Sequence, residues 1–218
     1  MRFPTVTLTI ALVTATLYVI GGAMPEQLIW HQDDSTPWQW VSAHFAHISA
    51  EHLILNLIAL VALGGMIEQT SRKVLGLALM FGIAAVNIYL ALFFHLNAYA
   101  GLSGALNALL VIALYFLYQQ DGYKIACVAT LALSLTKTLV EYSFNLSLFS
   151  TLPWPSVPQA HLAGLIGGAL LALFLETRKR RLLNSELVSF NEVPPTTKRP
   201  AAKTKVIQVW PRLSGHRH

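Results

Sequence analysis

Six apolar stretches constrain this chain more than any other feature of its sequence. They lie at residues 5–23, 51–70, 74–95, 102–119, 124–146 and 158–176. Each approaches the roughly 20 residues that a helix needs to cross a bilayer. Only 11% of the 218 residues are charged, against about 25% in an ordinary soluble domain. The sequence therefore predicts an all-α membrane protein in which residues 1–176 form a six-transmembrane-helix bundle.

The positions of lysine and arginine predict how this bundle is oriented. Basic residues occur at the N-terminus, in alternate loops and after the last stretch: Arg2, Arg72, Lys73, Lys124 and Arg178–Arg181. The other loops, 24–50, 96–101 and 147–157, contain no lysine or arginine. Cytoplasmic loops are enriched in these residues. We therefore expect an integral protein of a bacterial inner membrane, with both termini cytoplasmic and three loops on the periplasmic side.

Residues 177–218 differ in composition from the rest of the chain. From Arg178 to His218 there are ten Lys or Arg residues and two Glu. This composition predicts a flexible basic tail that contacts anionic lipid headgroups. Because the bias towards positive charge on the inner side already accounts for it, nucleic acid is not an expected partner. Cys127 is the only cysteine, which excludes an intrachain disulfide, and we expect no metal or other cofactor.

A serine between glycines opens the fourth apolar stretch, in the run Gly101-Leu102-Ser103-Gly104. Serine is a good N-cap, so the run is typical of an ordinary helix start. The same run also suits a nucleophile, because glycines let other backbone come close and the helix N-terminus offers free N–H groups to a developing anion. By itself, this short motif leaves both interpretations open.

Polar residues on two further stretches favour the nucleophile. His47, His52 and Asn56 lie at the head of the second stretch, and His161 lies near the start of the sixth. Together with Ser103 they are expected to meet at one depth near the outer face. Ser103 then supplies a hydroxyl and His161 a base, while His52, Asn56 and the Ser103 backbone N–H form an oxyanion hole. Since no aspartate is placed to orient His161, we predict a Ser–His dyad.

Lys137 and Glu141 lie four residues apart in the fifth stretch. Side chains at this spacing share one helix face, and an unpaired charge inside a membrane is costly. A structural ion pair is therefore the first interpretation. A role in holding substrate is the second.

Three motifs in this order resemble the rhomboid intramembrane serine proteases. They are His47-x4-His52-x3-Asn56, Gly101-Leu102-Ser103-Gly104 and Ala160-His161-x2-Gly164, and the resemblance extends over residues 5–176. It implies the rhomboid six-helix core, the same dyad and oxyanion hole, and supporting roles for His47, Gly101, Gly104 and Gly164. It also implies that the fifth helix and the loop after it gate lateral entry of transmembrane substrates.

Two positions depart from the rhomboid pattern. Asn107 stands where rhomboids commonly carry an aromatic residue that stacks on the catalytic histidine, and we expect it to hydrogen-bond His161 instead. In the first outer loop, Trp38-Gln39-Trp40 replaces the usual Trp-Arg pair. The run Gly-Leu-Ser-Gly-Ala-Leu-Asn and the Lys137-x3-Glu141 spacing are similar to the rhombosortases. That likeness implies substrates with a C-terminal membrane anchor that contains Gly-Gly.

The predicted function is that of an intramembrane serine endopeptidase that cleaves transmembrane segments near the outer face. One rival is a catalytically inactive rhomboid-like protein that binds membrane clients. Another is a transporter, since histidines in membrane helices can relay protons. The transporter is less favoured, because the polar residues cluster at one depth and leave no relay towards the cytoplasm.

Overall fold

The computed structural model describes residues 3–23, 25–93, 98–144 and 157–191, and most of them are helical. The helices are α1 (Thr5–Gly21), α2 (Gln39–Ser42), α3 (Ala50–Ala59), α4 (Gly65–Thr70), α5 (Arg72–Phe93), α6 (Ser103–Tyr118), α7 (Lys124–Phe144) and α8 (Pro158–Asn191). A π-helical segment, Leu60–Gly64, joins α3 to α4, and a 3-10 turn, Ala43–Phe45, follows α2. Two short strands, β1 (Trp30–His31) and β2 (Ala98–Tyr99), form an antiparallel pair.

A helix occupies each of the six predicted stretches. Among the described residues, four helical spans are long and apolar enough to cross a membrane: Ala50–Thr70, Arg72–Phe93, Lys124–Phe144 and Pro158–Ser185. Helices α1 and α6 are apolar but shorter, at 17 and 16 residues. At 1.5 Å per residue, α6 is about 24 Å long against a hydrocarbon core of about 30 Å. The number of membrane crossings therefore stays a prediction.

Helix α6 lies at the centre of the bundle, between α5 and α8. Its buried face is built largely from alanine and leucine, which lets neighbouring backbones come close. A methyl group added at Gly82 of α5 would lie 2.9 Å from the Ala105 Cα, and one at Gly168 of α8 would lie 2.8 Å from the Ala108 carbonyl oxygen. These two contacts require glycine, and they fix α5 and α8 against α6 at backbone distance.

At the end of the bundle where α1 begins, the carboxylate of Glu68 caps α1. Glu68 of α4 is 1% exposed, and its oxygens accept hydrogen bonds from the backbone N–H groups of Val6 (3.0 Å) and Thr7 (2.8 Å). The Thr7 hydroxyl adds a third bond at 2.9 Å, and Arg72 donates to the same carboxylate at 3.1 Å. The first N–H groups of a helix have no partner within it. Glu68 supplies those partners from a different helix.

The predicted end of the last helix is wrong. We expected the helix to stop at residue 176 and a flexible tail to begin at 177, but α8 continues to Asn191. Arg180 donates to Glu176 at 2.9 Å, an i,i+4 pair that supports the continuation. Residues 192–218 of the predicted tail, and most of the proline-containing loop 147–157, lie outside the described residues.

The loop between α1 and α3 is tied to the segment that precedes α6. Trp30 pairs with Tyr99 in the β1–β2 ladder, and the Gly101 backbone N–H donates to the Ala43 carbonyl at 2.9 Å. The Tyr99 hydroxyl donates to the Gly101 carbonyl at 3.0 Å. These bonds position the residues immediately before Ser103.

Candidate active site

Ser103 and His161 lie in hydrogen-bonding contact. The His161 Nε2 is 3.0 Å from the Ser103 Oγ, although 58 residues separate the two in sequence. Ser103 is the first residue of α6, and His161 lies in the first turn of α8. Both residues therefore lie at the same end of the bundle, as predicted. The contact is the one that a Ser–His dyad requires.

Two glycines allow the first turns of α6 and α8 to approach this closely. A methyl group at Gly164 would lie 1.8 Å from the Gly104 carbonyl oxygen. One at Gly104 would lie 2.7 Å from the Val86 Cγ2 and 3.1 Å from the Ala160 carbonyl oxygen. No side chain fits at either position. The close approach of α6 and α8 at these two glycines thus has a steric basis.

Gly101 brings the His52 ring next to the segment before the serine. Its φ of 124° lies in the region that only glycine adopts readily, and a methyl group there would lie 2.5 Å from the His52 Cε1. The His52 ring also makes an edge contact with the His47 ring, and the two ring centroids lie 5.0 Å apart. Ser49 caps α3 by accepting from the His52 N–H at 3.1 Å.

Two of the predicted oxyanion-hole residues, the buried Asn56 and the half-buried His52, have side-chain nitrogen atoms without a partner in the described parts of the chain. Asn56 is 4% exposed. Its Nδ2, together with the His52 Nδ1, has no hydrogen-bond partner among the described residues. A buried polar atom without a partner costs free energy, so such atoms are rare and call for an explanation. An amide N–H kept free in this way is suited to bind an oxygen that arrives with a substrate.

His47 is held as a neutral ring beside these donors. Its Nδ1 lies 3.1 Å from the Phe45 carbonyl oxygen, so that nitrogen carries the proton and donates it. Burial, reinforced by the positive charge that His52 can carry, lowers the pKa of His47 from 6.5 to about 4. His47 therefore supports the His52 ring as an uncharged residue at neutral pH.

The predicted contact between Asn107 and His161 is not present. The Asn107 amide instead donates to the Ser103 carbonyl oxygen at 2.9 Å, one helical turn back. Among the described residues it makes no hydrogen bond to His161. A short polar side chain in a helix commonly bonds the carbonyl four residues earlier, which is always within reach. Asn107 thus contacts the serine through its backbone.

His44 and Asn87 make structural contacts that the sequence patterns did not predict. The fully buried His44 donates from Nε2 to the Asn87 side-chain oxygen at 2.9 Å, and Asn87 donates to the Trp40 carbonyl at 2.8 Å. Burial lowers the pKa of His44 from 6.5 to about 4, so the ring is neutral. The sequence feature that could have predicted this contact is the single asparagine in an apolar stretch, because a polar side chain inside a membrane needs a partner. This chain of bonds fastens the first loop to α5.

Lys137 and Glu141 form the predicted ion pair, with 2.7 Å between the Lys137 Nζ and the Glu141 Oε2. The Glu141 side chain is 1% exposed, whereas that of Lys137 is 31% exposed. Glu141 also has a second neighbour, which the sequence pattern did not indicate. The same Glu141 oxygen lies 4.0 Å from the Nδ1 of His161, the ring nitrogen that faces away from Ser103.

Comparison with known families agrees with this arrangement. A model of the rhomboid domain matches residues 34–178, which contain Ser103, His161 and the whole site described above. The chain belongs to the rhomboid family. The match begins after α1, so this rhomboid has one described helix outside the matched range.

This rhomboid is also similar to two named rhomboid proteases. It is 33% identical to rhomboid protease GlpG of Serratia proteamaculans over 159 residues, which cover 70% of this chain and 54% of that protein. It is 33% identical to rhomboid protease GlpG of Haemophilus influenzae over 81 residues, 37% of this chain and 42% of that protein. The rhomboid described here thus spans about half the length of the relatives it matches.

In the described parts of this rhomboid, no group of three or more His, Cys, Asp or Glu side chains is placed to hold a metal ion. The histidines of the site contact other groups: His47 and His52 contact each other, His47 also contacts the Phe45 carbonyl, and His161 contacts Ser103. Such an arrangement suits proton transfer and hydrogen bonding.

Proposed function

We propose that this chain is an intramembrane serine endopeptidase that uses Ser103 and His161 as a catalytic dyad. The observation that carries the proposal is the 3.0 Å contact between the Ser103 Oγ and the His161 Nε2 at the buried end of α6. A serine hydroxyl is a weak nucleophile unless an adjacent base takes its proton. His161 is the base within reach.

In the proposed reaction, the Ser103 Oγ attacks the carbonyl carbon of the scissile peptide bond while its proton moves to the His161 Nε2. The carbonyl electrons move onto the oxygen and form a tetrahedral oxyanion. The imidazolium then gives its proton to the leaving amine as the C–N bond breaks. Water hydrolyses the resulting acyl-enzyme by the same steps, with His161 again acting first as base and then as acid.

The proposed oxyanion hole consists of the Asn56 side-chain N–H, the His52 ring and the backbone N–H of Ser103. The unpartnered Asn56 Nδ2 and the contact between His52 and Gly101 support this assignment. The N–H groups of the first turn of α6 have no partner within the helix and carry its positive dipole end. Each is suited to stabilise negative charge that develops during the reaction.

We further propose that α1, α3–α4 and α5 to α8 form six membrane crossings, with Ser103 below the outer surface. The short length of α6 supports this depth, because a helix of about 24 Å leaves at least one end within a 30 Å core. The absence of Lys and Arg from the loops on that side supports a periplasmic opening, with both termini cytoplasmic.

The proposed substrates are transmembrane segments of membrane proteins, cleaved near their outer ends at small residues. A peptide bond must leave its helical hydrogen bonds before a serine can attack it, and small residues ease that unwinding. Helix α7 is the proposed gate for lateral entry. Its only buried side chains among the described residues are Cys127, Thr138 and Glu141, whereas α8 packs against both α5 and α6, so α7 is the more loosely held of the two.

The finer proposal is a rhombosortase that processes C-terminal anchors containing Gly-Gly. Its support is the run Gly101 to Asn107 and the Lys137-x3-Glu141 spacing. Cleavage of a Gly-Gly anchor fusion can be compared with cleavage of the same fusion carrying Leu-Leu. A preference below threefold would argue against this substrate class and leave the protease proposal intact.

Reaction with a fluorophosphonate probe tests the proposed protease activity. The purified full chain in detergent should be labelled at Ser103, and both Ser103→Ala and His161→Ala should abolish labelling. The same two variants should lose cleavage of a single-span fusion substrate reconstituted with the enzyme. Residues that act as one unit are non-additive, so the double variant should be no worse than either single one.

A wild-type chain that binds the fusion substrate but is neither labelled nor able to cleave it would favour the inactive client-binding protein. Labelling that persists in Ser103→Ala would remove Ser103 as the nucleophile. His161→Ala with full turnover would remove the dyad.

A further inference from the structure

The imidazole of His161 lies between two oxygen atoms. On one side its Nε2 is 3.0 Å from the Ser103 Oγ, and on the other its Nδ1 is 4.0 Å from the Glu141 Oε2. The carboxylate comes from α7, while the serine and the histidine come from α6 and α8. Glu141 is nearly inaccessible to solvent at 1% exposed, and His161 is 13% exposed. Solvent screening between the two is therefore weak.

The chemistry of the dyad gives this carboxylate a use. When the Nε2 accepts a proton from Ser103, the Nδ1 must already carry its own proton, so the ring must be held in that tautomer. Once protonated, the ring carries a positive charge in a poorly solvated place. A negative charge on the Nδ1 side favours both the correct tautomer and the imidazolium.

Lys137 is the ion-pair partner of this carboxylate. The Lys137 Nζ lies 2.7 Å from the same Glu141 oxygen and is the more exposed partner of the pair. An unpaired charge buried in a protein is costly, and the ammonium offsets that cost from the more exposed side. The same carboxylate oxygen also faces His161.

We propose that Glu141 is a positioning residue for the dyad, which orients the His161 ring and stabilises its protonated form. The inference rests on the proposed function, since it assigns Glu141 to the same reaction. At 4.0 Å the interaction is electrostatic rather than a direct hydrogen bond. Lys137 acts one step further out, as the ion-pair partner of Glu141. The pair is thus part of the catalytic apparatus as well as a structural contact.

The test measures the rate of fluorophosphonate labelling of Ser103, which needs the dyad but no docked substrate. Glu141→Gln keeps the size of the side chain and removes its charge. It should slow labelling and reduce kcat on a single-span fusion substrate by about 10- to 100-fold, while KM changes less than twofold. All rates are taken well below the melting temperature of each variant.

A matched control separates positioning from loss of stability. Glu68 is also 1% exposed and also has an i,i+4 basic partner, but it lies at the other end of the bundle. Glu68→Gln should lower the melting temperature without changing the labelling rate below it. The double variant Lys137→Met with Glu141→Gln has no stranded charge, so it should fold well. It should nevertheless be labelled as slowly as Glu141→Gln alone.

Two results would overturn the inference. One is wild-type labelling and kcat in folded Glu141→Gln. The other is full recovery of both rates in the neutral double variant, which would make the pair purely structural. A wild-type chain that is neither labelled nor active would instead refute the proposed function, and the two failures are therefore distinguishable.

Discussion

Gly164→Ala should abolish the proposed protease activity while leaving most of the fold intact. The added Cβ would lie 1.8 Å from the Gly104 carbonyl oxygen, whereas carbon and carbonyl oxygen ordinarily approach to about 3.3 Å. Helix α8 must therefore move away from α6 by about 1.5 Å at this turn. His161 lies one turn earlier on α8, so its contact with Ser103 would open from 3.0 Å to about 4.5 Å, beyond hydrogen-bond range.

The expected loss is large, because a misplacement of about 1 Å at a reacting centre can cost 100-fold in rate. We expect fluorophosphonate labelling and kcat/KM to fall by at least about 100-fold. Overpacking of this kind costs about 1–3 kcal/mol of stability. A detergent-solubilised sample should therefore still show a cooperative thermal unfolding transition, at a lower temperature than the wild type.

Two other glycines serve as controls. Gly168→Ala places its Cβ 2.8 Å from the Ala108 carbonyl oxygen, a milder clash one turn further from His161, and should give a smaller loss of rate. A Cβ at Gly76 of α5 meets nothing within 4 Å, so Gly76→Ala should be active and slightly more stable. A Gly164→Ala enzyme that labels within threefold of the wild type would refute the steric argument.

Three further predictions concern other parts of the structure. Glu68→Ala removes the cap of α1 and should lower the free energy of unfolding by at least about 1.5–3 kcal/mol, the contribution of a single hydrogen bond to a charged acceptor; thermal unfolding in detergent checks this, and an unchanged transition would contradict it. Burial lowers the pKa of His44 and His47 from 6.5 to about 4, so the unfolded chain takes up these protons first. Their contribution to stability is then complete above pH 6.5 and falls as the pH drops towards 4, by up to about 1.4 kcal/mol per pH unit for each histidine, and unfolding measured from pH 7.5 to 4.5 should show this direction. Asn56→Ala should reduce kcat by about 10- to 1000-fold through loss of one oxyanion donor, with the melting temperature nearly unchanged; full rate on a good substrate would remove Asn56 from the oxyanion hole.

The sequence predicted the helices and the contact between Ser103 and His161, because both follow from the positions of apolar and polar residues along the chain. Apolar length predicts helices, and polar residues at matching depths of such helices predict a shared cluster. The end of α8 was predicted wrongly because a run of Lys and Arg was interpreted as a tail. Those residues are good helix formers, and the ion pair between Glu176 and Arg180 stabilises the helix beyond residue 176.

Other contacts between helices could not be predicted from the sequence. The approach of Glu141 to His161 depends on how α7 and α8 are rotated and offset, which no pattern within either helix specifies. The cap that Glu68 places on α1 likewise joins segments about 60 residues apart. Asn107 shows the opposite error, since a tertiary contact was expected where the nearest acceptor was one turn away in its own helix.

The origin of the site from distant parts of the chain bears on when the proposed proteolytic activity appears during biosynthesis. The loop that holds Gly101 through Ala43 is made first, Ser103 follows two helical spans later, and His161 arrives with α8, the last described helix. A nascent chain that has not yet inserted α8 therefore contains Ser103 without His161. Under the proposed mechanism such a chain cannot cleave its neighbours, and activity begins only when α8 packs against α6 at the Gly104–Gly164 contact.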